Sequence, residues 1–152
     1  MVDSLTSVTV KIQLTDPEAS IPSRSTSGSA GYDVCIIEDV IMEPFTIYKI
    51  RTGLKMEIPE GYFLDIRPRS GLSMKGFCLV NSPGTIDSDY RGEIHILARF
   101  IPIGIDDTCL ELKKGSRVAQ AILFPAVTIN FTVSDSLSNS DRGENGFGHT
   151  GI

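Results

Sequence analysis

The sequence predicts an all-β sandwich or barrel. Residues 8–14, VTVKIQL, alternate apolar and polar side chains with a period of two, as a half-buried strand does. Further apolar runs follow and are separated by turn-forming segments such as TDPEASIPS and IPEG. Many short strands at this spacing are typical of sandwiches and barrels. Residues 70–76, SGLSMKG, favour a helix of one or two turns, which is too short to change the class.

Six more strands are expected after the first one. They cover residues 32–37, 47–52, 62–67, 93–100, 118–124 and 127–133. The alternation stops at Ser134, where Ser, Asn, Asp and Gly become frequent. Such a composition buries little apolar surface and costs conformational entropy to order. We therefore expect a single β domain over residues 1–133 and a flexible C-terminal arm over residues 134–152.

Length, charge and cysteine content limit the possible environments and partners. A chain of 152 residues and 16.5 kDa is long enough for one domain with a real core. The formal net charge of -5 disfavours nucleic acid and anionic membranes, so we expect neither as a partner. The first residues, MVDSLTSVTV, lack a charged n-region and an apolar h-region, so we expect no secretory leader. Cys35, Cys78 and Cys109 lack metal-binding spacing, which indicates buried thiols in the reducing cytoplasm.

The stretch RPRSGLSMKG carries groups that suit a phosphate. Three cations flank a Ser-Gly pair at the start of the short helix: Arg67, Arg69 and Lys75. A hydroxyl, free N–H groups and cations together can bind phosphate oxygens. A solvated loop in which Ser70 caps the helix explains this stretch equally well.

Asp33 and Gln120 are polar residues next to apolar ones in two predicted strands. Asp33 opens a strand after the turn in SAGYDV, where an ordinary turn residue is the simpler interpretation. Gln120 stands among Val and Ala side chains in GSRVAQAILFP. A buried Gln needs a hydrogen-bond partner, whereas a Gln on the outward face of an alternating strand does not. The residues alone leave both interpretations open.

The segment 81–94, NSPGTIDSDYRGEI, is the centre of the functional hypothesis. It predicts a hairpin in which Asp87 and Asp89 lie next to Tyr90. In an ordinary hairpin, Asp-Ser-Asp is simply turn chemistry. In a functional hairpin, backbone N–H and C=O groups would bind the edge of a base, and the acids would be free for a water or a metal.

The tail RGENGFGHTG has glycines spaced as in some nucleotide-binding loops. It is not a P-loop, because no Gly-Lys-Ser/Thr pattern follows, and it is not a Rossmann turn, because no helix can follow it. Phe147 is unusual in so polar a segment, since aromatic residues are rare where there is nothing to pack against.

The order of these motifs resembles a known family. AGYD, PRSGLSMKG, GTIDSDYRGE, GSRVAQAILFP and RGENGFGHTG follow one another like the five motifs of the trimeric deoxyuridine triphosphatases, or dUTPases. The resemblance extends from Ala30 to Gly151. Two positions differ, because His149 stands where the family usually has Ser and Asn145 stands where Gly is usual. The resemblance implies a jelly-roll-like β fold and a homotrimer with active sites at the subunit interfaces.

The resemblance also implies a reaction and a set of site residues. The chain would hydrolyse dUTP to dUMP and pyrophosphate with Mg²⁺, which keeps uracil out of DNA and supplies dUMP for thymidylate synthesis. Asp87 would be the general base for the water that attacks the α-phosphorus, and Asp33 would contact metal-bound water. The residues expected to bind substrate are Arg69, Ser70, Gly71, Asn81, Gly84, Thr85, Ile86, Tyr90, Gln120, Arg142, Phe147, Gly148, His149 and Thr150.

Each group in this set has an implied role. The hairpin backbone between residues 81 and 90 would bind the uracil edge, and Tyr90 would leave no room for a 2′-hydroxyl. The arm would close over the nucleotide with Phe147 stacked on uracil, while Arg142 and Thr150 meet the triphosphate. Whether His149 contacts a phosphate stays open.

Three other functions compete with this hypothesis. A dCTP deaminase of the same fold is the nearest, but the hairpin and tail motifs match the hydrolase pattern. A non-catalytic nucleotide-sensing protein would not need Asp87, Tyr90 and Phe147 together. A structural jelly roll would have no reason to carry the tail.

Overall fold

The computed structural model describes residues 7–146, which form eleven strands and one short helix. The strands are β1 (Lys11–Leu14), β2 (Tyr32–Cys35), β3 (Val40–Met42), β4 (Ile47–Arg51), β5 (Leu54–Glu57), β6 (Tyr62–Pro68), β7 (Phe77–Leu79), β8 (Gly84–Ile86), β9 (His95–Phe100), β10 (Leu110–Leu112) and β11 (Arg117–Pro125). The helix α1 (Ser70–Ser73) follows β6. The predicted all-β class with one short helix is confirmed.

The strands form four antiparallel sheets around one core. The largest has the order β2-β11-β6-β8, and a three-stranded sheet has the order β4-β9-β7. Two pairs, β1-β5 and β10-β3, complete the described structure. Strands that are far apart in sequence, such as β2 and β11, are neighbours in space. This arrangement is the jelly-roll-like sandwich that the sequence predicts.

The core is built from alternate residues of the strands. Leu64 and Ile66 of β6 and Ala119 and Ala121 of β11 are buried, whereas the residues between them face the other side of the sheet. Phe77 at the start of β7 is fully buried. The period of two therefore assigns one face of each strand to the core.

The predicted strand over residues 127–133 is wrong. The described chain makes no strand after Pro125, and the side chains of Val127, Ile129, Phe131 and Val133 are exposed. The alternation of this segment suits a strand, but a strand also needs a neighbouring strand with free N–H and C=O groups. Within the residues that the structure describes, the segment pairs with none.

The thiols are partly as expected. Cys35 and Cys78 are half-buried and none of the three cysteines forms a disulfide. The expectation of buried thiols is wrong for Cys109, which is exposed because it lies in the loop before β10. The short helix α1, the only helix between residues 7 and 146, cannot cross a membrane.

A buried carboxylate links β6 to β8 on the face away from the core. Asp65 is only 4% exposed, and its two oxygens accept hydrogen bonds from Thr85 Oγ1 at 3.0 Å and Arg67 Nη2 at 3.1 Å. The Arg67 guanidinium lies 4.8 Å from the centre of the Phe124 ring. These contacts fix β8, the strand that opens the predicted hairpin.

Replacing Thr85 with Val should destabilise the protein, because it removes one of the two donors to the buried Asp65 carboxylate and nearly preserves the side-chain shape. A lost hydrogen bond to a buried charged group costs about 1–3 kcal/mol. Urea denaturation at a fixed protein concentration measures the loss, with Thr85→Ser as the control that keeps the hydroxyl. Equal stability of Thr85→Val and wild type would contradict this account of Asp65.

Candidate functional site

Seven of the predicted site residues lie in two separate clefts. The arginine cleft, of about 520 Å³, is lined by residues that include Asp33, Arg69, Ser70, Gly71, Arg117 and Gln120. The hairpin cleft, of about 980 Å³, is lined by residues that include Tyr62, Phe63, Thr85, Asp87, Ser88 and Arg91. No residue lines both clefts. Within one chain, the predicted phosphate-binding residues of the arginine cleft therefore lie in a different cleft from the predicted base Asp87.

Strand pairing assembles the arginine cleft. Gln120 of β11 is the register partner of Asp33 of β2 on one side and of Arg67 of β6 on the other. The turn after β6 leads directly into α1, which places Arg69 and Ser70 at the same end of the sheet. Three motifs that are distant in sequence therefore meet at one point.

The carboxylate of Asp33 holds two arginines in the arginine cleft. Arg69 Nε lies 2.8 Å from one oxygen, and Arg117 Nη1 lies 3.3 Å from the other. The Asp33 side chain is only 13% exposed and Arg69 is 30% exposed, whereas Arg117 is 56% exposed, so the pair with Arg69 is the better shielded of the two. Arg69 Nη1 also donates a hydrogen bond of 3.0 Å to the carbonyl of Arg117. The guanidinium groups are thus oriented before any anion arrives, which suits phosphate recognition.

Gln120 is half-buried on the face of the sheet away from the core, and it still has a hydrogen-bond partner. Its Nε2 donates a hydrogen bond of 2.8 Å to the carbonyl of Pro68, just before the phosphate motif. Gly31 leaves the space that this side chain occupies, because a Cβ at position 31 would collide with the Gln120 amide oxygen. Gln120 therefore ties β11 to the turn that carries Arg69.

The three cationic side chains of RPRSGLSMKG do not line the same cleft. Arg69 and Lys75 line the arginine cleft, whereas Arg67 pairs with Asp65 on the sheet and does not line it. The N-cap of α1 is Arg69, without a side-chain cap, so the alternative in which Ser70 caps the helix is wrong. Arg117 is not among the residues that the sequence predicts for the site. Its place in the GSRVAQ motif, next to Gln120, is the signal that points to it.

The hairpin cleft carries the two acids of the DSD motif. Asp87 and Asp89 line it together with Thr85, which Asp65 holds in place. The Tyr90 amide donates a hydrogen bond of 3.2 Å to the Asp87 carbonyl and so closes the turn between them. Four other predicted residues lie in or beside the same hairpin without lining either cleft: Asn81, Gly84, Ile86 and Tyr90.

Glu93 anchors the end of the hairpin to the turn between β4 and β5. Its Oε1 accepts hydrogen bonds from Gly53 N at 3.0 Å and Arg51 Nε at 3.2 Å, and its Oε2 accepts one from Arg51 Nη2 at 3.1 Å. Burial opposes ionisation of this carboxyl group, but the bonds from Arg51 and Gly53 prevail. The pKa of Glu93 therefore lies below its ordinary value of 4.5.

Arg142, the predicted tail residue that the structure describes, lines neither cleft. Arg142 lies on the exposed surface, where its Nε donates a hydrogen bond of 2.9 Å to the Asn145 carbonyl. Phe147, Gly148, His149 and Thr150 lie outside the described residues. Their predicted contacts with substrate stay predictions.

Two oriented arginines beside a Ser-Gly turn, and an acid-bearing hairpin elsewhere on an all-β fold, fit an enzyme that acts on a nucleotide phosphate. The family model described as dUTPase matches residues 17–151. The chain therefore belongs to the dUTPase family.

Individual relatives agree with this assignment. The deoxyuridine 5′-triphosphate nucleotidohydrolase of Roseobacter denitrificans is 44% identical over 151 residues, which cover 95% of this chain and 97% of that protein. The protein of the same name from Nautilia profundicola is 46% identical over 143 residues, covering 93% and 98%.

Solved structures agree as well. A mutant of the Staphylococcus bacteriophage 80alpha dUTPase with dUpNHpp matches with a TM-score of 0.84 at 27% identity, covering 96% of this chain and 100% of that one. A mutant dUTPase from phage phi11 of S. aureus, described with a coordinated structural Mg(II) ion, matches with a TM-score of 0.74 at 25% identity, covering 85% and 98%.

Because the folded-state pKa of Glu93 is lowered, its contribution to stability is fully present above pH 4.5 and is lost as the pH falls through the folded-state pKa. Glu93→Gln should therefore destabilise the protein at pH 7 and lose that effect progressively below pH 4.5. Urea denaturation of both proteins at several pH values measures the difference. A destabilisation that does not change with pH would contradict an ionised Glu93 clamp.

Proposed function

We propose that the chain hydrolyses dUTP to dUMP and pyrophosphate, and so keeps uracil out of DNA and supplies dUMP for thymidylate synthesis. One observation carries the proposal. This chain belongs to the dUTPase family, and residues of its family motifs line two open clefts. Arg69, Ser70, Gly71 and Gln120 line the arginine cleft, and Asp87 lines the hairpin cleft. Incubation with dUTP, and with dCTP as the rival substrate, followed by assays for pyrophosphate and ammonia, tests it. Release of ammonia from dCTP would indicate a deaminase instead.

The active form is a homotrimer in which the arginine cleft of one copy meets the hairpin of a neighbour. The separation of the two clefts within one chain supports this arrangement, because a general base must lie within hydrogen-bonding reach of the attacking water. The exposed apolar side chains of residues 127–133 support it as well. This segment has the alternation of a strand, and the sheet of a second copy would supply the partner that its own chain lacks.

The chemistry follows from the residues of the two clefts. Water attacks the α-phosphorus in line with the bridging oxygen, and that P–O bond breaks as pyrophosphate leaves. Asp87 accepts the proton from the attacking water and later releases it to solvent. Arg69, Ser70 and Gln120 hold the phosphate side of the site, with Arg69 oriented by Asp33. Catalysis therefore depends mainly on positioning and on stabilisation of negative charge.

The described residues fit a magnesium ion that arrives with the triphosphate. No group of three His, Cys, Asp or Glu side chains between residues 7 and 146 could enclose a metal. Asp33, whose oxygens already form ion pairs with Arg69 and Arg117, suits a contact with metal-bound water better than direct ligation. Mg²⁺ keeps several waters and binds substrate phosphates readily. When bound, it would neutralise part of the triphosphate charge.

Substrate selection belongs to the hairpin and the arm. Backbone groups of residues 81–90 bind the uracil edge, and the opposite donor–acceptor order of cytosine leaves them unpaired. Tyr90 packs against the deoxyribose and excludes a 2′-hydroxyl. The arm closes over the nucleotide, with Phe147 stacked on uracil and Arg142 and Thr150 at the triphosphate.

The three cysteines without disulfides support a cytoplasmic location.

Replacing Asp87 with Asn should reduce turnover by about 10²–10⁴-fold or more, because it removes the general base. Binding of dUTP should stay nearly unchanged, since the base is not a binding contact. Single-turnover hydrolysis and calorimetric titration with the analogue dUpNHpp separate the two effects. Ser88→Ala, a change at the adjacent residue of the same cleft, is the control and should keep wild-type turnover. Full turnover of Asp87→Asn would exclude Asp87 as the base.

A chain cut after Ser140 should fold and assemble as before, because the residues after Pro125 contribute no strand to the described core. It should bind dUTP more weakly and lose most of its hydrolysis. Phe147→Ala should show a milder defect, since base–aromatic stacking is worth about 1–3 kcal/mol.

Melting temperature, oligomer size and pyrophosphate release provide the comparison for the cut chain. Leu137→Ala is the control, since it removes an exposed apolar side chain of the same arm outside the motif. Hydrolysis at the full rate by the cut chain would rule out the closing arm.

A further inference from the structure

The side chain of Tyr90 folds back along its own chain. Its hydroxyl donates a hydrogen bond of 3.0 Å to the Glu93 carbonyl, while its amide bonds to the Asp87 carbonyl at 3.2 Å. The residue is 43% exposed, so the rest of the chain packs against only part of the ring. The orientation of the ring therefore depends on these local contacts.

Gly92 leaves the space that this orientation needs. A Cβ at position 92 would lie 2.5 Å from Tyr90 Cζ, 3.0 Å from its Cε2 and still closer to its hydroxyl oxygen. Real Cβ atoms do not approach other atoms this closely, so either the ring or the chain would have to move. No other side chain or backbone atom is among the three nearest obstacles.

The backbone at Gly92 does not itself require glycine. The described glycines with positive φ are Gly53, Gly61, Gly76, Gly115 and Gly143. Gly92 is not in this group, so an Ala can adopt its backbone conformation without the left-handed penalty. The conflict with Tyr90 is therefore the specific reason for glycine here.

The carbonyl that receives the Tyr90 hydroxyl is fixed in place. The side chain of Glu93 is bound to Arg51 and Gly53 and is only 15% exposed. His95 Nδ1 also lies 2.9 Å from the same carbonyl oxygen. Because the acceptor cannot follow a displaced ring, a Cβ at position 92 breaks the hydrogen bond of Tyr90.

We propose that Gly92 is a specificity-determining position, at which the absence of a side chain keeps Tyr90 in the orientation that excludes ribonucleotides. This inference rests on the proposed role of Tyr90 at the deoxyribose. Gly92 acts through Tyr90 and is a positioning residue without contact to substrate. A side chain at this position displaces the ring and opens room for a 2′-hydroxyl.

The test is the ratio of kcat/KM for dUTP to kcat/KM for UTP. Gly92→Ala should lower this ratio by about tenfold or more. Steric discrimination against one small additional group on a substrate is worth about tenfold or more, and the displaced ring would no longer provide it. Gly28→Ala is the matched control, because a Cβ there meets no atom within 4 Å and the backbone is not left-handed, and it should leave the ratio unchanged. Tyr90→Phe keeps the ring without its hydroxyl and should give a smaller decrease.

A double-mutant cycle shows whether Gly92→Ala changes the selectivity through the Tyr90 ring. If Gly92 acts through the ring, Gly92→Ala should lower the ratio no further once Tyr90→Ala has removed the ring. An added decrease in the double variant would overturn the inference. Should Gly92→Ala fail to fold, the double variant must fold as well as Tyr90→Ala, because the obstacle is gone. Failure of both would show that the chain path needs this glycine.

The remaining outcomes separate this inference from the proposed function. A wild-type protein that does not hydrolyse dUTP would contradict the proposed function. A wild-type protein that hydrolyses dUTP selectively, together with an equally selective Gly92→Ala variant, would overturn the inference alone. An unchanged ratio in Tyr90→Ala would show that the sugar is recognised elsewhere and would overturn the role of Gly92 with it.

Discussion

Strand β11 pairs with β2 on one side and with β6 on the other, and the arginine cleft depends on this double pairing. The register places Gln120 opposite Asp33 and leaves it in reach of the Pro68 carbonyl. Asp33 in turn orients Arg69 and Arg117 through ion pairs of 2.8 and 3.3 Å. A slip of β11 by one residue would turn Gln120 to the opposite face of the sheet and away from Asp33 and Pro68. The positions of the side chains in the arginine cleft therefore depend on the register of β11.

The same sheet also explains why the two clefts lie apart within one chain. β8 is its edge strand on the far side of β6, and the hairpin that carries Asp87 leaves from that edge. The two clefts consequently share no lining residue. In the proposed trimer, the hairpin of a neighbouring copy would meet the arginine cleft, and a second copy would also provide a partner for the exposed apolar segment 127–133. The proposed assembly and the proposed catalytic site both follow from the strand order of this sheet.

Much of the fold follows from the periodicity of the longer strands, because burial of one face imposes an alternating pattern. Strands of three residues outside the predicted hairpin, such as β3 and β7, are too short to show a period and were not predicted. The alternation of residues 127–133 is typical of a strand, but no strand forms there in the described chain, because a pattern does not supply the partner strand. The motif residues indicated the site through resemblance. The ion pair that joins Arg117 to Asp33 depends on register, and the conflict between position 92 and Tyr90 depends on three-dimensional packing.

Complementation between two inactive variants tests the composite site most directly. Arg69→Ala damages the arginine cleft and Asp87→Asn damages the hairpin, so each variant refolded alone should be inactive. When the two are unfolded, mixed in equal amounts and refolded together, a site that takes its cleft from one copy and its hairpin from another is intact in about a quarter of cases, and about that fraction of wild-type dUTP hydrolysis should return. No recovery from mixed oligomers, verified by mass spectrometry, would show that each chain completes its own site.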